Sequence, residues 1–130
     1  MTRALLALPA VALLALAMGG CDPPYCAPDD TFVVQETGTC AAQPQRFTLS
    51  VLFCEVSIEK PTGDTGLPPS GAVDGTRRPL RQGGFELFGS QGMGGFRLCR
   101  ATRVDYELDL ACVDGTGAPV CNAVLTEPNP

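Results

Sequence analysis

Seven cysteines in a chain of 130 residues bound what this sequence can fold into. Cys26, Cys40, Cys54, Cys99, Cys112 and Cys121 are spread along the chain with no C-x2-C pair among them, so a disulfide framework fits better than a thiolate metal site, and no metal or cofactor is expected. The staples answer a need. With no Trp, six Phe and two Tyr the core is thin, and a small domain with a thin core relies on cross-links. Spacing alone does not select the pairing. The expectation is Cys112–Cys121 across a final hairpin, Cys54–Cys99 between strands, and Cys26–Cys40 locally.

Beyond Thr31 the hydrophobic pattern has the period of strands. TFVVQE is a short β-branched run. RFTLSVLFCEVSIEK places Phe47, Leu49, Val51 and Phe53 on one face, then Leu52, Cys54, Val56 and Ile58 on the other, which predicts a bulge near Phe53 or a strand passing between sheets. FELF, Phe85 to Phe88, is a further short strand. FRLCRATRVDYELDLAC alternates longest, with Val104, Tyr106, Leu108 and Leu110 opposite Arg103, Asp105, Glu107 and Asp109; it reads as one antiparallel strand with a wet face. VDGTGAP supplies turn residues and VCNAVLT a last strand. The expected fold is all-β, a small antiparallel sandwich or barrel-like sheet of about five to seven strands, disulfide-stapled. Residues 31–130 form one β domain, interrupted by a Gly/Pro-rich loop at 61–79 of a length that compact domains reserve for function or leave unstructured.

The first twenty residues stand apart. Arg3 precedes an uncharged run from Ala4 to Met18, too short to span a bilayer and of the length of a signal-peptide core. Met18, Gly19, Gly20 and Cys21 resemble the lipobox of bacterial lipoproteins. That resemblance implies a signal peptide at 1–20, removal at Gly20, and diacylglyceryl (palmitate-type) lipidation of Cys21 as the new N-terminus. It covers sorting only and names no activity. Ala15 to Ala17 has the A-x-A form of ordinary cleavage, which would release a soluble chain. Cysteine number favours the lipobox, because giving Cys21 to lipid leaves an even set. Residues 21–30, with Pro23, Pro24 and Pro28, read as an extended tether. Asp22 resembles the inner-membrane retention residue of enteric lipoproteins, a rule that varies among bacteria, so inner and outer membrane both stay open. The implied location is the bacterial cell envelope, with the domain outside the cytoplasm.

After that cut the chain carries eight basic and fourteen acidic side chains, a net charge of −6. This argues against nucleic acid, whose phosphates reward Lys and Arg, and leaves acyl chains as the grip on the membrane. No histidine is present, which removes Ser-His-Asp and Cys-His catalysis and His-ligated zinc; no enzyme is expected. Asp64 to Gly66 resembles the aspartic-protease triplet but lacks the second copy that chemistry needs. GSQGMGG matches neither phosphate-loop pattern. Asp105, Glu107 and Asp109 make a carboxylate row that reads as a solvated face rather than a calcium site. Arg77, Arg78 and Arg81 form the one basic cluster, a candidate interaction surface whose guanidinium forks suit carboxylates, phosphates or acidic sugars. The expectation is a non-enzymatic, membrane-tethered binding or structural module that meets an envelope protein or glycan through the 61–81 loop. The alternative is a secreted disulfide-rich inhibitor or effector.

Overall fold

The computed structural model describes residues 26–59, 65–75, 77–90 and 95–128. Residues 1–20, read above as a signal peptide, together with Cys21, Pro23, Pro24, Asp64 and the 91–94 stretch, lie outside them. Eight strands run in chain order: β1 Asp30–Gly38, β2 Gln45–Leu52, β3 Glu55–Glu59, β4 Ser70–Val73, β5 Gly83–Ser90, β6 Phe96–Val104, β7 Glu107–Asp114 and β8 Pro119–Thr126. Each pairs antiparallel with the next, and β8 returns to β1, giving a closed up-and-down barrel. A 3-10 turn, Leu80–Gln82, precedes β5. The expected all-β class holds, with eight strands rather than five to seven.

Alternation explains the closure. Phe32 and Val34 on β1, Phe47, Leu49 and Val51 on β2, Leu108 and Leu110 on β7, and Leu125 on β8 all turn inward and are buried. Their neighbours Arg46, Thr48, Thr102 and Asn122 turn outward. An apolar, side-chain-filled inside is the reverse of the polar lumen of a lipid-facing barrel. Among the described residues no helix is long and apolar enough to cross a membrane. The interior is filled by side chains, as in other small barrels.

An even strand number puts the start of β1 and the end of β8 at one rim, here called the entry rim. It also holds the β2–β3 turn, the 74–82 connection and the β6–β7 turn. The opposite, far rim carries the 39–44, 65–69 and 115–118 connections.

Two stretches whose patterning suggests single strands are hairpins. Phe53 and Cys54 turn with φ of 52° and 69°, the left-handed signature of a two-residue hairpin, rather than a bulge. Asp105 (φ 55°) and Tyr106 likewise reverse the chain between β6 and β7. Inward positions therefore switch from Cys99 and Ala101 to Leu108 and Leu110, and Val104 and Tyr106 do not continue the buried face. The carboxylate row disappears with it, since Asp105 sits in the turn. The 61–79 segment contains β4, and Thr65–Pro68 crosses the far rim with Leu67 in the core.

All six body cysteines pair, as Cys26–Cys54, Cys40–Cys121 and Cys99–Cys112, so none of the three expected pairings occurs. The reason is topological. Cys26 and Cys40 flank the nine residues of β1 and lie at opposite rims. Cys99, Cys112 and Cys121 are in register across β6, β7 and β8, with Cys40 beyond Cys121. Joining Cys112 to Cys121, the middle pair of this row, would strand its two outer members.

Candidate functional site

At the far rim the described residues draw the opening shut. Arg97 Nη1 donates to the Gly66 carbonyl at 2.6 Å, drawing the Thr65–Pro68 strap over the opening. Gly66 is obligatory there, because a Cβ would lie 1.8 Å from the Cys40 carbonyl oxygen. Beneath the strap, Glu36 is completely buried, and the Thr65 hydroxyl donates to its Oε1. Burial pushes the Glu36 carboxyl above its ordinary range, and the Thr65 hydrogen bond opposes this only in part. Among the described residues Glu36 Oε2 has no partner, nor does Oε1 of Gln45, the residue opposite it in register. A proton on Glu36 relieves the burial of its charge and makes the carboxyl a donor. The sulfurs of Cys40, Cys112 and Cys121 lie within 4.8 Å of one another, but each belongs to a disulfide and offers no thiolate to a metal.

The entry rim differs. Leu80 fills its opening and is fully buried. Around it the surface is grooved, and Arg103 borders three adjoining grooves. An apolar floor formed by Phe32, Val34, Leu108 and Leu125 underlies an open groove of about 590 Å³ edged by Arg81, Arg103, Tyr106 and Glu127. It arises where the barrel seam stops being laced. β1 pairs with β8 only from Gln35 to Gly38, while β1–β2 pairing extends back to Asp30. Arg81 bridges the unlaced part, with Nη1 3.4 Å from Asp30, Nη2 2.9 Å from Glu127, and its guanidinium 4.6 Å from the Phe32 ring centroid.

The arginine cluster of the sequence thus divides. Arg81 is committed to the seam. Arg78 faces the groove shared with Gln82, Arg103 and Asp105, and Arg77 is exposed nearby. Arg100, on the adjoining groove, is paired to Glu86 at 2.9 Å. Arg103 escapes sequence reasoning because its alternation matches a wet strand face. In the barrel it donates from Nε to the Asp105 carbonyl (2.8 Å) and approaches the Arg81 carbonyl from Nη1 (3.5 Å). It points over the barrel mouth and ties the 3-10 turn to the β6–β7 turn. Phe53 and Tyr106, 85% and 92% exposed at two hairpin tips, escape it for the same reason, since both continue the period of a strand face.

The arrangement can bind; its guanidinium groups and apolar floor suit an amphipathic or acidic partner. No protein family, curated protein or solved structure matches this chain.

Proposed function

We propose that this is a non-enzymatic binding module of the bacterial cell envelope, anchored through acyl chains on Cys21, that meets an envelope protein or glycan at the entry-rim groove. The observation that carries the binding part is the unlaced seam. A barrel with a filled interior leaves its outer surface for recognition, and the seam combines an apolar floor with arginine edges. Cysteine number supports the anchor: all six body cysteines have partners within the domain, which leaves Cys21 for lipid. The contact surface expected over 61–81 narrows accordingly, since Leu67, Pro68 and Leu80 are buried and Arg81 is paired.

Two measurements test the reading. Intact mass of the protein from native membranes should carry the added mass of acyl chains on a chain beginning at Cys21; an unmodified Cys21 removes the anchor. A photo-crosslinking residue at Val33, beside the groove, should yield a discrete protein or glycan adduct in cells, and the same residue at Val120 should not. Equal labelling from both positions, or none from Val33, removes the groove.

A further inference from the structure

We propose that the two hairpin tips of the entry rim, at Phe53 and Tyr106, seat in the headgroup region of the bilayer that holds Cys21, while the seam groove stays open along β1 at Val33 and Val34. The orientation rests on the anchoring reading above; the affinity of the tips does not.

Reach comes first. Cys21 and Cys26 are five residues apart, which limits their separation to about 18 Å however the intervening chain runs. Cys26 is bonded to Cys54 in the β2–β3 turn, so the anchor is fastened to the entry rim and not to the far one. A tether this short holds that rim near the lipid surface rather than lifting the domain away.

What the rim presents comes second. Phe53 and its neighbour Leu52 (56% exposed) form one tip, and Tyr106 with Val104 (47% exposed) forms another. The tips belong to the β2–β3 and β6–β7 turns, four strands apart in a ring of eight, and so stand on opposite sides of the barrel mouth. Two small separated apolar points make a poor protein-docking patch. They suit a planar, deformable interface, where an aromatic ring enters and its surroundings stay wet.

Backbone strain comes third. Phe53 holds φ at 52°, a left-handed conformation that Gly or Asn adopts at less cost, and it does so while exposed. Packing within the barrel does not account for a phenyl group there; contact outside the molecule does. Glu55, Asp105 and Glu107 stand at the same rim as Arg78 and Arg103, so attraction to lipid charge is not the driving force.

The chain beginning at Cys21 contains every described residue, has one free thiol when its disulfides are intact, and lacks Trp. Coupling that thiol to a maleimide-headgroup lipid in phosphatidylcholine vesicles sets the geometry whether or not cells acylate Cys21. Phe53→Trp and Tyr106→Trp should each shift emission to shorter wavelength and lose intensity to lipids brominated near the headgroup. Phe96→Trp, at the far rim, should do neither. Raising salt or adding phosphatidylglycerol should leave the quenching unchanged. The proposal is overturned if the indoles of the Phe53→Trp and Tyr106→Trp chains report water as that of Phe96→Trp does, or if their quenching vanishes in salt. Should the larger ring of Phe53→Trp disturb the left-handed turn, Tyr106→Trp decides the matter independently. Acylation of native Cys21 is read separately by mass, so loss of the anchor and loss of docking are distinguishable.

Discussion

At the far rim the barrel is shut by a strap of backbone, an arginine holding the Gly66 carbonyl, and two neighbouring disulfides whose Cys40 and Cys112 sulfurs approach to 3.6 Å. At the entry rim it is shut by one leucine, an arginine spanning an unlaced seam, and a disulfide that reaches outward to the segment leading in from Cys21. The far rim removes freedom by covalent and main-chain means, and leaves little for another molecule to grip. The entry rim closes through side chains, which leaves floors, edges and projecting tips.

That contrast can be broken experimentally. The largest effect is expected from Cys40→Ser with Cys121→Ser, which frees a link across 81 residues and should lower unfolding free energy by about 4 kcal/mol on the chain-entropy view. Urea titration checks this, and a loss below about 1 kcal/mol would deny the far rim its special role. Leu80→Ala opens the other end and should cost about 3 kcal/mol, within the usual span for a buried leucine. If the entry rim tolerates that change freely, it is not part of the cooperative barrel.

Third is a pH effect at the far rim. The raised pKa of Glu36 means that the folded chain keeps a proton the unfolded chain releases. Its stabilising contribution is complete below the unfolded carboxyl range and is lost as pH rises through the folded value. Glu36→Gln should therefore match the parent in acid and exceed it at neutral pH by about 1–3 kcal/mol, the range for relieving an unsatisfied buried group. Parallel urea midpoints for both chains from pH 4 to 8 would contradict this. Asp114 acts with the opposite sign. The Thr116 hydroxyl, followed by the Ala118 and Thr116 amides, lowers its pKa, so the stability it supplies is lost as pH falls. Asp114 is intact in both chains, so their difference reports Glu36. The smallest effect belongs to Arg81→Gln, at no more than about 1 kcal/mol because its ion pairs are exposed. Its value is diagnostic: amide exchange should quicken around Asp30 to Val34 and not at the far rim.

Much of the barrel is legible in the sequence. Period-two patterning around Phe47–Val51 and Leu108–Leu110 marks buried faces, and the even set of body cysteines marks disulfides. Both hidden hairpins share one cause. Their turns use Phe-Cys and Asp-Tyr where Asn-Gly would announce a reversal, and apolar residues at the tips continue the alternation past the point where the chain doubles back. Disulfide partners depend on which strands become neighbours, so the concealed turns hide the pairing too. The candidate site is half visible. Arg78 and Arg81 stand out as part of the basic cluster, but Arg103 becomes significant only when closure brings the β6–β7 turn beside the 3-10 turn.

Both ends of the described chain leave from the same mouth, because the strands are even in number. A reporter fused beyond Thr126 would therefore crowd the mouth from which β1 starts, where it could jam the seam. The Asp114–Ala118 reversal, capped by its own aspartate, projects the other way and is the natural place to splice in an epitope. Surface display built on this scaffold should use that loop and leave both chain ends unburdened.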